Sequence, residues 1–356
     1  MDRNLFIINP KSFFFNRIRI DRFIQDTRII LNEMGKDSLF HLSRFSRDAI
    51  WIIKKYLSSL NASDMLTVYA VGGDGILFDC LNACIGEPNI RLASIPYGRQ
   101  NDFIRSFGEN VFGKFKNIRK LACAPSVTTD VINCSGNYAL AHCCIGLEAY
   151  SNYHAIRVND KMSKLGNLWT KGIYNSIDVM FGTFAVFGGI AQQKYHVMID
   201  NCDYSGKYGL INIANTAAYG GNLCSVPSAV PDDGYLDVLM YKSNTPYYSL
   251  LIMPSFLHEK WRKFSKEFVY RRAKKIKIYS EDHPMCVILD AEMFWEQELT
   301  IEMLPQAINI LVPEGLKYSK REIPPEYNEV SKGEEDYKEI GKSELQTKEA
   351  RHERYR

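Results

Sequence analysis

The stretch Val68-Tyr69-Ala70-Val71-Gly72-Gly73-Asp74-Gly75 decides the fold of this chain. Its first four residues are apolar, β-branched or aromatic, and they predict a buried strand. A glycine turn follows, and residues 76–84 predict a helix that ends before Gly86 and Pro88. A strand, a glycine turn and a helix N-terminus suit phosphate, because the backbone N–H groups and the helix dipole attract an anion. On this motif alone, a tight turn of any α/β protein is an equally good interpretation.

Asp74 is an unusual residue for a turn that binds phosphate. A carboxylate repels the anion unless it binds a metal ion or takes up a proton. Its presence therefore indicates chemistry at the phosphate rather than binding alone.

Strands and helices alternate on both sides of this motif. A strand is predicted at 5–8, amphipathic helices at about 20–34 and 46–60, and another strand at 90–96. This alternation predicts a parallel sheet with helices on its faces. Ligands bind such sheets at the carboxyl ends of the strands, where the polar loops after the three strands would lie.

From about Asp130 onward, the chain changes to short runs of β-forming residues separated by turns. Strands are predicted near 131–133, 138–142, 194–199, 208–214, 236–241, 275–279, 287–289 and 308–312. This density of strands predicts an antiparallel β domain, most simply a sandwich. Two helical segments are expected to interrupt it, near 160–182 and 246–266.

Composition narrows the class of protein. The 356 residues are 46% hydrophobic and carry a formal net charge of +3, which is too small to indicate nucleic acid binding. The nine cysteines include no C-x-x-C pair, so we expect reduced core thiols rather than disulfides or a zinc site. No uncharged apolar run reaches the length of about 18 residues that spans a bilayer, and the N-terminus does not resemble a signal peptide. A cytoplasmic location is expected.

Three segments have two interpretations each. Phe13-Phe14-Phe15 either pack beneath their loop, which we favour, or dip into a membrane surface. The apolar run 165–187 either lines an apolar pocket or is a packing helix. The basic, aromatic-flanked segments 261–264 and 271–275 either lie against an anionic membrane or form a solvated face.

The order of the polar motifs is more specific than any single motif. The chain contains, in order, Asn9-Pro10-x-Ser12, Gly72-Gly73-Asp74-Gly75, Pro96-x-Gly98-x-x-Asn101-Asp102, Asp232-Asp233-Gly234 and Asp290-Ala291-Glu292. This series resembles the diacylglycerol kinase catalytic-domain family, which includes bacterial diacylglycerol kinases and sphingosine kinases. It is more distantly similar to NAD kinases, which share the Gly-Gly-Asp-Gly turn. The resemblance covers about residues 5–313.

The resemblance implies a two-domain, ATP- and Mg²⁺-dependent lipid kinase that phosphorylates diacylglycerol or a related long-chain alcohol. Residues 1–130 would form a Rossmann-like nucleotide-binding domain, to which a segment near 305–318 returns, and residues 131–304 a β-sandwich that receives the lipid. Charge and composition predict a flexible tail at 319–356. The expected partner is a lipid substrate at a membrane surface; peripheral association with the inner membrane surface and a homodimer are both compatible with the sequence.

The resemblance also implies a role for each motif. The catalytic residues would be Asp74, Asp290 and Glu292. Those that bind the nucleotide would be Asn9, Ser12, Gly72, Gly73, Gly75, Gly98, Arg99, Asn101 and Asp102, and the metal ligands would be Asp233 and Asp102. A lipid hydroxyl has a high pKa, so a carboxylate must accept its proton as the phosphoryl group is transferred. We favour Asp290 as this base, with Asp74 and Asp102 supporting metal and phosphates; the reverse assignment stays open.

Three of these motifs depart from the family pattern. In the first loop, Phe13 follows Ser12 where the family usually has a flexible glycine. Ile76 stands where the family has threonine, and Phe78 and Asp79 replace asparagine and glutamate. In the next loop, Arg99 and Gln100 replace threonine and glycine. In one interpretation, the Arg99 guanidinium replaces the lost phosphate contacts. In a second, the chain is a catalytically weakened lipid- or nucleotide-binding protein; in a third, it is an NAD kinase-type enzyme.

Overall fold

A computed structural model describes residues 2–61, 63–98, 100–108, 110–147, 149–150, 193–218, 226–242, 260–264 and 266–319. The helices of this part of the chain are α1 (Arg17–Glu33), α2 (Asp48–Leu57), α3 (Asp74–Cys84), α4 (Asp102–Arg105), α5 (Phe112–Lys116) and α6 (Ile118–Leu121). The strands of the first half are β1 (Asp2–Ile8), β2 (Asp37–Leu42), β3 (Met65–Gly72), β4 (Ile90–Pro96), β5 (Ser126–Cys134), β6 (Asn137–Ala139) and β7 (His142–Gly146). Those of the second half are β8 (Gln193–Ile199), β9 (Cys202–Asp203), β10 (Gly206–Ala214), β11 (Leu236–Lys242), β12 (Phe268–Ala273), β13 (Lys275–Ser280), β14 (Met285–Leu289), β15 (Glu292–Glu296) and β16 (Glu298–Leu311).

A parallel sheet organises the first part of the molecule. Its strands lie in the order β2-β1-β3-β4, and each neighbouring pair is parallel. Residues on both faces of β1 and β3 are buried, which is why these strands read as continuous apolar runs. Phe6 stacks on Tyr69 across the two strands, with ring centroids 4.2 Å apart.

The second part is an antiparallel β-sandwich. Strands β15-β14-β7-β10-β8-β13-β16 follow one another, and β11 and β12 extend the sheet from β10. Alternate residues of these strands enclose a separate apolar core that includes Ile211, Val238, Ile276 and Val287. The parallel α/β domain followed by an antiparallel sandwich confirms the predicted fold class.

Strand β16 belongs to both parts. Its first half pairs with β13 in antiparallel fashion, whereas Ile310 pairs in parallel with Leu92 of β4. The register with β5 shifts between Leu304 and Ile308, where Gln306 has a φ of 51°. Because such a bulge bends and twists a strand, one continuous strand can leave the sandwich and enter the parallel sheet.

Helix α3 is buried between the two cores. Ile76, Leu77 and most other apolar residues of the helix face the core of the parallel sheet, whereas Phe78 belongs to the sandwich core. The Asn82 amide pairs with both backbone groups of Tyr138 in β6, at 2.9 and 2.8 Å. Of the departures, Ile76 therefore packs within the first domain, and Phe78 packs the helix against the sandwich.

The sequence pattern did not predict several of these strands. Strand β2 was missed because it alternates exposed and half-buried residues, with charge at its start. Strands β9, β12 and β15 and the first half of β16 were also not predicted, and the segment predicted at 138–142 is divided between β6 and β7. Exposed polar residues on these strands hide the apolar pattern on which strand prediction depends.

The basic segments predicted as a membrane or solvated face lie beside buried aromatic residues. Trp261 is 2% exposed and packs against Tyr270, with ring centroids 5.7 Å apart. Arg271 and Arg272 lie on β12, which pairs with β11. The aromatic residues of this part of the chain therefore pack in the sandwich, whereas Lys263, Arg271, Lys274 and Lys275 are exposed. The membrane and solvated-face interpretations of these charged residues both stay predictions.

Other predictions fall outside the described residues. These are the apolar run 165–187, the helical segments at 160–182 and 246–259, and the tail from 320 onward. Among the described helices, none has the length and apolar character needed to cross a membrane.

Candidate active site

The glycine turns after β3 and β4 lie against each other. The N–H groups of Tyr97 and Gly98 both donate to the Gly72 carbonyl, at 2.8 and 2.9 Å. A Cβ added to Gly98 would overlap the Gly73 Cα and lie 2.9 Å from its nitrogen. Glycine is required here because the two backbones approach more closely than side chains allow.

The loop after β1 completes this edge of the sheet. A Cβ on Gly72 would lie 3.1 Å from the Ser12 hydroxyl and 3.2 Å from Asn9 Cβ. The Asn9 side chain accepts a hydrogen bond from Lys11 N at 3.0 Å and so caps the short helical turn at Pro10–Phe13. The structure thus brings together Asn9, Ser12, Gly72, Gly73 and Gly98.

Asp74 is anchored by the loop after β4. Its carboxylate accepts hydrogen bonds from the backbone N–H groups of Asn101 and Asp102, both at 2.8 Å. Asn101 has a φ of 53°, and its side-chain amide donates to the Gly98 carbonyl at 2.9 Å. Asparagine tolerates this left-handed conformation, and the turn it makes aims the two donors at Asp74.

Asp290 is anchored in the same manner by the second domain. It lies in the turn between β14 and β15 with a φ of 49°. Its carboxylate accepts hydrogen bonds from the N–H groups of Leu140, Ala141 and His142, at 2.9, 2.9 and 3.0 Å. Asp290 N returns a hydrogen bond to the His142 carbonyl at 3.0 Å. No sequence pattern predicted these donors, since they are backbone groups.

The two aspartates meet at the interface between the domains. A Cβ on Gly75 would lie 3.7 Å from the Ala291 Cβ, which places the two turns in contact. Burial raises the pKa of Asp74, and the negative charge of Asp290 raises it further. Burial also raises the pKa of Asp290, against its three N–H donors. Neighbouring carboxyl groups that resist ionisation are typical of functional sites.

Glu292 is a third carboxylate with a raised pKa. Burial is the main cause, and the charge of Arg47 opposes it. Within the described residues, no hydrogen bond or ion pair holds the Glu292 carboxylate. Its lone pairs are therefore more available for a proton than those of Asp74 and Asp290.

Asp79 and Arg47 are site neighbours that the sequence analysis did not assign. Asp79 is buried, and one carboxylate oxygen accepts from Arg47 N at 3.0 Å. Burial raises the pKa of Asp79 to about 6, with a smaller contribution from the charge of Glu292. Arg47 has a φ of 64° in the loop after β2, and no sequence signal pointed to that loop.

His142 is a further neighbour that was missed. Burial lowers its pKa to about 4, and the charge of Asp74 acts in the opposite direction. The imidazole is thus neutral at neutral pH. It adds no cation to the pair of aspartates.

Asp233, predicted as a metal ligand, forms an ion pair with Arg272. Arg272 also lies over the Tyr235 ring, 4.5 Å from its centroid, and its Nε is 3.8 Å from Asp237 Oδ1. Burial raises the pKa of Asp237 to about 7. The nearby Asp130 accepts from Gly234 N and Gln306 N, both at 2.7 Å.

This donor set does not fit a magnesium ion at Asp233. A guanidinium already neutralises the carboxylate that would bind the metal. Among the described residues, no three His, Cys, Asp or Glu side chains form a cluster that could hold a metal ion. Arg272 therefore occupies the Asp233 carboxylate with an internal ion pair.

We expect Arg272→Gln to lower the unfolding midpoint by about 6–12 °C, because it leaves buried carboxylates without their cation. Arg271→Gln on the same strand is the matched control. Its guanidinium stacks on Tyr204 at the surface, so a shift of less than about 2 °C is expected. Thermal unfolding without nucleotide, with Mg²⁺ or with EDTA, checks the assignment. A wild-type midpoint that EDTA lowers as much as Arg272→Gln does would contradict it.

The remaining predicted residues divide into two groups. Gly75, Asn101 and Asp102 lie with Asp74 at the interface between the domains. Asp233 lies elsewhere, in the turn before β11, and Arg99 lies outside the described residues. The role of Arg99 therefore remains a prediction.

Comparison with known proteins agrees with this architecture. Residues 3–134 match the diacylglycerol kinase catalytic domain, and residues 174–312 match the YegS C-terminal NAD kinase beta sandwich-like domain. A Staphylococcus aureus (strain Mu3) protein named "Putative lipid kinase" is 25% identical over 301 residues, which cover 83% of this chain and 93% of that protein.

Solved structures show the same fold. A crystal structure described as a "putative diacylglycerol kinase" from Bacillus anthracis has a TM-score of 0.64 at 20% identity and covers 88% of this chain and 96% of that one. A further diacylglycerol kinase structure from B. anthracis has a TM-score of 0.59 at 19% identity and covers 88% and 98%. The two matched family models divide the chain into a kinase catalytic domain and a sandwich domain, which defines a two-domain protein of the kinase class. The chain belongs to the diacylglycerol kinase catalytic-domain family.

Proposed function

We propose that the protein transfers the γ-phosphate of ATP to the hydroxyl of diacylglycerol or a related long-chain lipid alcohol. The observation that carries the proposal is the meeting of Asp74 and Asp290. Each is fixed by backbone N–H donors of its own domain, and the turns that bear them are in contact. A site shared by two domains can hold a nucleotide on one side and an acceptor on the other.

The nucleotide side is the edge formed by the three loops of the parallel sheet. Gly72, Gly73 and Gly98 let backbone N–H groups approach phosphate oxygens, and the N-terminus of α3 favours negative charge. Asn9 and Ser12 add side-chain hydrogen-bonding groups beside Gly72. The family match to a kinase catalytic domain over the same residues supports ATP as the donor.

The carboxylate pair fits a magnesium ion that enters with the nucleotide. Burial raises the pKa of Asp74, the negative charge of Asp290 raises it further, and a divalent cation would relieve this repulsion. Magnesium in kinases commonly takes one or two carboxylates together with phosphate oxygens. When bound, it supplies charge neutralisation for the transferred phosphoryl group.

Glu292 is the residue we propose to accept the proton of the lipid hydroxyl. A base needs a free lone pair and a pKa above that of an ordinary carboxyl group. Asp290, favoured from sequence, has three N–H donors that hold its carboxylate, whereas Glu292 has a raised pKa and no such donors within the described residues. The tight anchoring of Asp290 suits a ligand or positioning role.

The acceptor is proposed from the relatives. The S. aureus protein is named as a lipid kinase, and the B. anthracis structure as a diacylglycerol kinase. An NAD kinase-type activity and a non-catalytic, nucleotide-binding role are the competing functions. They differ from the proposal in their products, so product analysis separates them.

The test is a transfer assay with ATP labelled in its γ-phosphate, Mg²⁺ and, in parallel, diacylglycerol micelles, sphingosine micelles or NAD. We expect labelled phosphatidic acid from diacylglycerol, and a loss of kcat of at least about 100-fold in Glu292→Gln. Labelled NADP would contradict the proposal and indicate an NAD kinase-type activity. Nucleotide binding without any labelled product would favour the non-catalytic one.

A further inference from the structure

The loop after β1 exposes large apolar side chains at one edge of the molecule. Phe14, Phe15 and Ile18 are 81%, 67% and 80% exposed. Phe45, in the loop after the neighbouring strand β2, is also exposed. Several protruding apolar residues at one edge indicate an interaction surface.

The backbone holds the two phenylalanines outward. Phe14 and Phe15 have φ values of 54° and 52°, a left-handed conformation that is unfavourable for bulky residues. Phe14 N donates to the Lys11 carbonyl and Phe15 N to the Pro10 carbonyl, both at 3.0 Å. Phe13, by contrast, is buried against Phe23 and Tyr97. The expected packing of all three was therefore correct for Phe13 alone.

Positive charge surrounds these apolar residues. Lys11, Arg17, Arg19 and Arg22 accompany them, with Asp21 as the one acidic residue between positions 10 and 22. All of these charged residues are exposed. Apolar and aromatic tips among cations are typical of surfaces that enter the boundary between headgroups and acyl chains of anionic membranes.

The second loop adds to the same edge. Ser43 N donates to the Ile8 carbonyl at 2.8 Å, so the loop after β2 begins beside the end of β1. It carries exposed Arg44 and Arg47 on either side of Phe45. Its one acid, Asp48, is buried and binds His41 and Arg44 N. The exposed groups of this loop thus carry positive charge.

We infer that this docking edge, formed by residues 10–19 and 43–47, binds the surface of an anionic lipid bilayer. The same loop carries Ser12, which lies beside Gly72, so docking would place the candidate active site at the membrane plane. The inference adds a membrane-binding surface to the proposed lipid kinase function, and the biological use of that surface rests on the proposed function. The exposed apolar tips stand among exposed cations, a combination that suits the headgroup region of an anionic bilayer.

Vesicle co-sedimentation tests the docking edge. We expect the wild type to bind phosphatidylcholine vesicles with about 30 mol% phosphatidylglycerol at least about tenfold more tightly than pure phosphatidylcholine vesicles. Phe14→Asn/Phe15→Asn should reduce binding to the anionic vesicles by at least about tenfold, while asparagine preserves the left-handed backbone. Equal binding to both vesicles, or unchanged binding by the double variant, would overturn the inference.

A matched pair of variants on α1 tests the orientation. Ile18 and Ile29 are both exposed, at 80% and 57%, and lie on the same side of the helix about 16 Å apart. Ile18→Ser should weaken vesicle binding, and Ile29→Ser should not, because only Ile18 lies at the docking edge. If Ile29→Ser weakens binding as much as Ile18→Ser, the helix lies flat on the bilayer and the proposed edge is wrong.

Turnover of a short-chain diacylglycerol in solution separates the two proposals. The Phe14/Phe15 variant should keep wild-type kcat on this substrate, since neither side chain lines the candidate active site. Loss of that activity in a double variant with an unchanged unfolding midpoint would place Phe14 and Phe15 in the active site and contradict the inference. If the wild type binds anionic vesicles through Phe14 and Phe15 but phosphorylates no lipid, the proposed function fails and the docking edge stands.

Discussion

Asp74→Asn is expected to lower the kcat of phosphoryl transfer by at least about 10³-fold. Asp74 sits at the start of α3, between the glycine turns and the Asp290 carboxylate. The substitution removes the charge that would pair with the metal–nucleotide complex, and it replaces one acceptor oxygen with an NH₂ group. The loss should appear in kcat more than in KM, because the charge acts on the group being transferred.

The folded structure should tolerate this change. The amide relieves the repulsion by Asp290 and keeps one of the two hydrogen bonds from Asn101 and Asp102, so the unfolding midpoint should move by less than about 3 °C. Asp26→Asn is the control, because this exposed residue of α1 only pairs with Arg22 at 3.8 Å. Activity within about twofold of wild type in Asp74→Asn would remove Asp74 from the active site.

Gly98→Ala should damage both folding and activity through the backbone. The new methyl group would overlap the Gly73 Cα and lie 3.0 Å from the Asn101 side-chain oxygen. The turns after β3 and β4 must then separate, which we expect to lower the unfolding midpoint by about 4–10 °C. The same separation shifts the donors that anchor Asp74, and a misplacement of this size reduces kcat/KM by about 100-fold or more.

Gly113→Ala is the matched control for this substitution. A Cβ at Gly113, in α5, would meet nothing within 4 Å. Alanine there favours the helix, so stability should be unchanged or slightly higher and activity unchanged. Comparison of thermal unfolding and kcat/KM between the two variants checks the prediction. A Gly98→Ala protein that is as stable and active as Gly113→Ala would show that the two turns do not need this close contact.

The local sequence was sufficient to predict the strand and the helix that organise the first domain. Apolar runs such as 68–71 and the helical periodicity after Asp74 predicted β3 and α3, because buried parallel strands and helices carry strong patterns. Edge strand β2 was missed because exposed and half-buried residues alternate along it, and β12 was missed because Arg271 and Arg272 interrupt its apolar run after Tyr270. The position of the glycine turn between β3 and α3 was also predicted correctly, whereas its contacts with the loops after β1 and β4 follow from the tertiary structure.

The sequence by itself determined the order of the motifs, the two-part fold class and the choice of Asp74, Asp290 and Glu292 as the carboxylates of interest. Only the tertiary structure decided how each is held: backbone donors from Asn101 and Leu140–His142 restrain the two aspartates and leave Glu292 without an equivalent restraint. Every residue except proline carries the same backbone N–H group, so no side-chain pattern predicts which of these groups will donate to a carboxylate. The ion pair between Asp233 and Arg272 and the left-handed backbone of Phe14 likewise became visible only in the structure, because a side-chain pattern specifies neither a long-range contact nor a φ value.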